Sequence, residues 1–580
     1  MSGQTASKLA ARDHQMFPVL SAAQIAIASG FAISAPRRFL PGETIFSTGE
    51  RDVAVWLVLE GGINIYRREG IGGEAPITSH GAGEFTGEVS QLDGRASLAA
   101  ARAGPSGCLA LPFDRIHLRA LMVGSADIGE IIMRAMILRR VGLIEEGSSG
   151  TILIGAPDNP HLVRLQGFLT RTGYPNLIMD PGVDGEGKSF VEQMALAPGD
   201  LPLVVCPDGA ILKRPGEREL AACLGILPDI ASESYDVAIV GAGPAGLAPA
   251  VYGASEGLSV LVLDERAMGG QAGASARIEN YLGFPTGISG QALAGRALNQ
   301  ALKFGAEIAI PTPVTGLGHD GQCYCLQLSG DQRVRAQTVV IACGAEYRRP
   351  ALNNIARLEG AGISYWASPV EARLCAGKDI ALVGGGNSAG QAIVFLAPQV
   401  RRLHLFVRRE LEETMSRYLI ERISALPNVE IHVGATLVGL EEEECRLSAA
   451  IVRIGEAESR FALSHMFLFI GATPHTAWLK ECVVVDEKGF VVTGSSKLPF
   501  ETSLPGVFAI GDVRAGSTKR VAAAVGEGAA AISQIHSYLA GLAAIAKDRL
   551  PPLSADRAQM RTSNQNGSKK LTKAHLGPAK

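Results

Sequence analysis

Residues 236–265 read DVAIVGAGPAGLAPAVYGASEGLSVLVLDE. An apolar run, DVAIV, enters a turn with glycines at 241, 243 and 246. A helix-forming segment follows, and a second apolar run, LSVLVLD, ends at Asp264 and Glu265. This order predicts strand, glycine turn, helix and strand. The first glycine makes the turn, the second lets backbone approach a pyrophosphate, and the third lets helix and strand pack closely. Pro244 and Ala245 sit inside that turn, at a helix start whose free N–H groups face phosphates. An acid 18 or 19 residues beyond Gly246 would accept ribose hydroxyls, and either Asp264 or Glu265 fits.

A second unit, DIALVGGGNSAGQAIVFLA, repeats the pattern with Gly384, Gly386 and Ala389, and with Asn387 and Ser388 opening the helix. Its next strand, RLHLFVRRE, ends in Arg408 and Arg409 instead of an acid. Guanidinium groups there would pair with a 2′-phosphate, favouring NADPH over NADH. Two solvated arginines after a strand are the plainer reading. Two dinucleotide sites in one chain imply one bound flavin nucleotide, FAD, and one nicotinamide that visits to reduce it.

The chain of 580 residues has room for roughly four domains. Hydrophobic content of 47% against 19% charged residues describes a globular protein, and the 69 glycines hint at several ligand loops. A net charge of −3 gives no reason to expect nucleic acid or an anionic membrane as partner. None of the nine cysteines stands in a C-x-x-C pair, which excludes the usual redox dithiol and the common zinc spacings; no metal site is expected. Cys323 and Cys325 read as packing residues on one face of a strand. Scattered unpaired cysteines fit a reducing cytoplasm, and no run of 18 apolar residues or signal-like N-terminus occurs.

Residues 36–113 carry short β-type runs with turn punctuation, predicting an all-β barrel or jelly roll, and a helix should run from Arg115 to about Glu145. After a linker, EEGSSG, residues 151–228 predict a compact α/β unit of strand, helix, a hairpin opened by Pro202, and helix. A second linker, LPDIASES, leads to the glycine-turn units: an FAD domain at 234–352 and 478–545 and a nested NAD(P)H domain at 353–477. Both have Rossmann-like α/β character. The basic tail, 546–580, should be disordered.

By this point the chain resembles a known family. Residues 235–542 are similar to the low-molecular-weight thioredoxin reductases along their whole length, in the order GAGPAG, GGQ at 269–271, ARIENYLGFPTGISGQAL, VVIACGAEYRRP, GGGNSAG, FIGATPHT and LPGVFAIGDVRAGSTKRVAAAVGEG. The resemblance implies that Gly270, Gln271 and Asn280 lie near the isoalloxazine and that Gly511 and Asp512 bind the ribityl or pyrophosphate region. Arg520 and Val521 would lie at the pyrimidine edge, with a helix N-terminus after IGDV supplying donors. It also implies a homodimer. The family carries its dithiol as S-Y-C-x-x-C before the second glycine turn; here Ser364 to Pro369 read SYWASP, with Trp366 and Pro369 at the cysteine positions. Neither forms a thiolate, so the usual relay has no chemistry at that place. Cys375, nine residues beyond Trp366, reads as an inert thiol or as a lone nucleophile. The family's distal phosphate arginine falls at Glu413, for which Arg417 is the available substitute.

Residues 1–147 resemble a cyclic-nucleotide-binding domain, on LPGETIFSTGE, AVWLVLEGGINIY and GEFTGEVSQLDGRAS. Gly87, Glu88 and Arg95, with Ser97 nearby, stand where that family clasps ribose and cyclic phosphate. Residues 151–228 resemble a thioredoxin or glutaredoxin fold with Leu201-Pro202 as its cis-proline, and GAPDNP lacks the family's C-x-x-C. The reading is an NAD(P)H-dependent FAD oxidoreductase of the thioredoxin-reductase type. It passes electrons to an external acceptor of ferredoxin or flavodoxin class. A flavin- and cyclic-nucleotide-responsive regulator, and a disulfide reductase using a non-standard thiol, remain as alternatives.

Overall fold

The computed structural model describes residues 12–69, 73–146, 150–194, 196–227, 234–330, 332–479 and 482–549. The chain divides into two compact units, Met1–Ile532 and Ser533–Lys580. The expected linker residues 147–149 and 228–233, and the tail from 550 onward, lie outside the described residues.

The first strands form a five-stranded antiparallel sheet in which Ala100–Phe113 is central, bonded to Arg37–Phe39, Thr44–Phe46 and Val55–Glu69. Phe39, Phe46, Trp56, Val58 and Ile63 fill its interior, as alternation along half-buried strands requires. The expected single helix after it is two, Arg115–Gly124 and Ala126–Glu146. Asp114 caps the first by accepting from His117 N.

Residues 150–227 build a four-stranded sheet in which Thr151–Ile154 pairs parallel with Asn176–Met179 and antiparallel with Leu203–Val205, which pairs with Ile211–Lys213. The Leu201-Pro202 bond is cis, as expected. Asn159 caps the helix Pro160–Arg171, whose apolar face (Leu162, Leu165, Phe168, Leu169) closes the core. The reading of scattered unpaired cysteines needs correction here. Cys206, at the end of one strand, is bonded to Cys223 in the helix Glu217–Cys223, with Cα atoms 6.4 Å apart. Seventeen residues separate them, so no short-spacing pattern shows the pair. The other seven cysteines are free.

From Ser234 the first glycine unit folds as predicted. Ser234–Val240 pairs in parallel register with Val260–Leu263 and Arg333–Ile341, inside a seven-stranded sheet completed by Val507–Ala509. Ser234–Val240 is buried along nearly its whole length, which is why it reads as a continuous apolar run. A two-stranded ribbon, Ala345–Tyr347 with Ala472–Pro474, carries the chain into and out of an inserted domain. There Asp379–Val383 lies between His465–Leu468 and Arg402–Val407 in a parallel sheet, with Val429–Val433 at one edge. The last helix, Val521–Arg549, continues past residue 545, so 546–549 are helical, against the expected disorder.

Candidate functional site

Both glycine turns show the division of labour the sequence implies. Gly241 has φ +114°, and a Cβ on Gly246 would stand 1.8 Å from the Gly241 carbonyl oxygen; these two glycines are required by the protein itself. At Gly243 the nearest atom to such a Cβ is the Gly270 Cα at 3.8 Å, and at Gly386 nothing lies within 4 Å. The middle glycine of each turn therefore borders open space in front of a helix N-terminus. A phosphate needs that cradle, so the residues present fit both nucleotides.

The first cradle opens into a cavity of about 550 Å³. Gly241, Gly243, Pro244 and Ala245 line one end, and Glu265, Gly270, Gln271, Asn280, Asp512, Arg520 and Val521 line the rest. The GGQ segment folds back on the turn through Gly269 N to Ala242 O at 2.7 Å, and Gln271 Nε2 donates to Ala345 O at 2.7 Å. The choice between two acids becomes readable. Asp264 accepts from Ala242 N at 2.8 Å with one oxygen and from Arg266 N and Ala267 N with the other. Burial raises its carboxyl above the usual range. Both its oxygens hold the turn. Glu265 is half-buried and pairs with Arg266 at 2.8 Å, and it lines the cavity as Asp264 does. The IGDV segment itself forms a short 3₁₀ turn, Gly511–Val513, and the helix starts only at Val521. Gly511 N donates to Glu527 Oε2 at 2.6 Å, and burial raises Asp512 while Lys519 opposes the shift.

The inserted domain meets the same cavity through Asn387, Ser388, Gln391 and Ala392 at the start of its helix Asn387–Leu396. Asn387 Oδ1 accepts from Ser416 N at 2.7 Å, and Thr414 Oγ1 donates to Gly385 O at 2.8 Å, seating the 410–416 loop on the turn. Arg408 and Arg409 are exposed at the end of Arg402–Val407, away from the cavity wall. Arg409 pairs with Glu413 at 3.3 Å, and Arg417 pairs with Glu421 on its own helix at 2.9 Å.

Trp366 and Ala367 form part of the cavity wall. Trp366 Nε1 donates to Glu371 Oε1 at 3.0 Å. Ser368 caps the helix Pro369–Cys375 in a capping box with Glu371, and Pro369 takes its first position, where no N–H is needed. Sequence reasoning missed Arg171, which reaches the cavity from the preceding α/β unit and lies 5.4 Å from the Trp366 ring centroid. Such a contact contributes about 0.5–2 kcal/mol. The helix carrying it is tied on both sides: Gln291 Nε2 donates to Thr170 O at 2.5 Å, and Asp158, at its entry, pairs with Arg446 at 2.7 Å. No signal near residue 171 could have shown a role in a cavity assembled from chain far downstream. Among the described residues the sulfur lining this cavity is Cys343, whose thiol donates to His475 O at 3.0 Å and is pushed up to about 12 by burial. Cys375 lies outside it, fully buried and likewise pushed up to about 12.

In the N-terminal barrel the three expected residues are engaged by protein groups. Arg139 Nη1 donates to Gly87 O at 2.8 Å, Glu88 pairs with Arg140 at 3.4 Å, and Arg95 pairs with Asp93 at 2.6 Å. One Glu88 oxygen is buried without a partner.

Among the described residues no helix is long and apolar enough to cross a membrane. Residues 235–528 match the pyridine nucleotide-disulphide oxidoreductase family, and residues 36–123 match the cyclic nucleotide-binding domain. Thioredoxin reductase of Bacillus subtilis (strain 168) is 31% identical over 307 residues, covering 53% of this chain and 95% of that protein. The Treponema pallidum (strain Nichols) thioredoxin reductase is 33% identical over 306 residues, covering 53% and 97%. The crystal structure of Lactococcus lactis thioredoxin reductase superposes with a TM-score of 0.50 at 25% identity, over 53% of this chain and 99% of that one. With its two nucleotide cradles and these relatives, the chain belongs to the pyridine nucleotide-disulphide oxidoreductase family, as a thioredoxin reductase-like, NAD(P)H-dependent flavin oxidoreductase with an N-terminal cyclic nucleotide-binding domain.

Proposed function

We propose that this enzyme passes electrons from NADPH to an external acceptor of the ferredoxin or flavodoxin class, without an internal dithiol. The reading is supported by the Trp366 wall: SYWASP carries no sulfur, and its indole, fixed by Glu371 and covered by Arg171, lines the nucleotide cavity. FAD, when bound, supplies the two-electron chemistry that links a hydride donor to that acceptor. The Gly241–Gly246 turn would hold its pyrophosphate, Glu265 its adenosine ribose, and Asn280, Asp512, Arg520 and Val521 the flavin half. Gly384, Gly386, Asn387 and Ser388 would seat the NADPH pyrophosphate, and Arg408 and Arg409 its 2′-phosphate. The domain boundaries expected from sequence are kept with these roles, as is a homodimer. The middle unit is read as thioredoxin-like from its strand order.

A disulfide reductase using a non-standard thiol is the weaker reading. Cys343 and Cys375 are both held protonated by burial, and a thiol without a thiolate is a poor nucleophile. The test is an acceptor series on the NADPH-reduced holoenzyme. Multiple turnovers with a ferredoxin or flavodoxin, and none with thioredoxin disulfide, are expected. Thioredoxin turnover that disappears in Cys343→Ser or Cys375→Ser would overturn the proposal.

The barrel is proposed to take a cyclic nucleotide as effector, with Gly87 and Glu88 at the ribose and Arg95 at the phosphate. Asp93 holds Arg95 in this structure, so the phosphate must displace it. Asp93→Ala is expected to raise affinity for fluorescent cyclic AMP by about tenfold, roughly 1.4 kcal/mol, in an equilibrium titration. Unchanged affinity would remove Arg95 from the phosphate site.

A further inference from the structure

The inserted domain holds a second group of chemically capable side chains, apart from the nucleotide cradles. His404, on Arg402–Val407, lies in register with Glu430 on the edge strand Val429–Val433. His432 follows Glu430 by two residues, so it projects from the same sheet face. His404 Nδ1 is 3.1 Å from His432 Nε2 and 3.3 Å from Glu430 Oε2, and the three ligand-type atoms all lie within 4.8 Å of one another. Tetrahedral zinc, with bonds of about 2.0–2.2 Å to nitrogen and oxygen, has ligand–ligand edges of roughly 3.3–3.5 Å. The two measured separations are close to that edge before any side chain moves.

The surroundings suit a cation of borderline softness. Two imidazoles and a carboxylate offer nitrogen and oxygen ligands of the kind zinc takes. Phe461 covers both rings, with centroids 5.1 Å from His404 and 5.2 Å from His432, and Phe406 stacks on His404. The opposite approach is open, because Glu430 is exposed while His404 is buried. In the structure the two imidazoles share one hydrogen bond, and Glu430 also reaches an exposed Arg402 at 3.4 Å.

We propose that His404, Glu430 and His432 form a binding site for a divalent metal ion, zinc being the best match, with the fourth position open to water. Two imidazoles and one carboxylate leave zinc such an open position. The ion would join the edge strand to the strand that ends at Arg408 and Arg409. The residues sit on two strands 28 positions apart, which is why no short metal motif appears in the sequence.

The test is calorimetric titration of chelator-treated holoenzyme with zinc sulfate, for wild type, Glu430→Gln and His432→Gln. Wild type is expected to bind one ion that Glu430→Gln weakens at least about tenfold, the loss that follows even from removing a ligand's hydrogen-bond partner. His432→Gln should abolish that event. Glu430 is exposed, so Glu430→Gln should melt at the wild-type temperature without zinc, separating ligand loss from unfolding. Zinc binding of equal stoichiometry and affinity in all three proteins would overturn the proposal, as would no saturable binding by wild type.

Discussion

Gly386→Val is expected to lower kcat/KM for NADPH by a factor on the order of 10²–10⁴ while leaving FAD content and melting temperature unchanged. The expectation rests on an unusual property of this position. A Cβ at Gly386 meets no protein atom within 4 Å, and its φ of −90° suits any residue, so the fold has no reason to object. A pyrophosphate at the turn has every reason. Valine would push it off the helix N-terminus and remove two or so charge-assisted hydrogen bonds, each about 1.5–3 kcal/mol, with tenfold in rate for each 1.36 kcal/mol or so. Gly246 makes the useful contrast. Any side chain there would collide with the Gly241 carbonyl, so its replacement reports on folding rather than on ligand. NADPH kinetics and flavin absorbance on the purified variant decide the matter; a normal KM would place the coenzyme elsewhere.

The second large effect concerns coenzyme choice. Replacing Arg408 and Arg409 together by alanine should raise KM for NADPH about 10²-fold and leave KM for NADH within about twofold. A contact from guanidinium to phosphate is charge-assisted, but both side chains are exposed and Arg409 is shared with Glu413. Each is therefore placed near the low end, roughly 1.4 kcal/mol or tenfold. Glu413→Ala should act in the opposite direction by freeing Arg409. Steady-state kinetics with both coenzymes checks the pair, and equal effects on NADPH and NADH would remove the arginines from the 2′-phosphate.

Legibility followed distance along the chain. The glycine turns were readable because strand, turn, helix and terminal acid lie within about thirty consecutive residues and each has a backbone reason for its type. Even there the sequence left Asp264 and Glu265 equivalent. Only the fold shows that both acids border the cavity and that Asp264 uses both its oxygens on the backbone of its own turn, while Glu265 pairs with Arg266. Arg171 was invisible because its partner, Trp366, is contributed by another domain. The Cys206–Cys223 bond was hidden because it joins a strand end to a helix 17 residues later, outside every short-spacing pattern. The helix break at Ser125 and the helical residues 546–549 were missed for a milder reason: local propensity marks a helix better than its ends. SYWASP was the opposite case. Its lack of sulfur is a chemical fact at the level of residues, and the fold adds that its indole is pinned by Glu371 and covered by Arg171.

On the proposed route, the flavin is the two-electron centre that NADPH fills directly, and no thiol pair shares its electrons. Cys206 and Cys223 are not among the residues lining the cavity, and Cys343 and Cys375 are free thiols, already reduced and unable to take up electrons. Anaerobic titration of the holoenzyme with NADPH, followed by flavin absorbance and by counting thiols after denaturation, tests this directly. One equivalent of NADPH per flavin, complete bleaching, and a thiol count that stays at seven are the predicted results. Uptake of two equivalents with a rise to nine thiols would contradict the account, because electrons would then be reaching the Cys206–Cys223 disulfide from inside the protein.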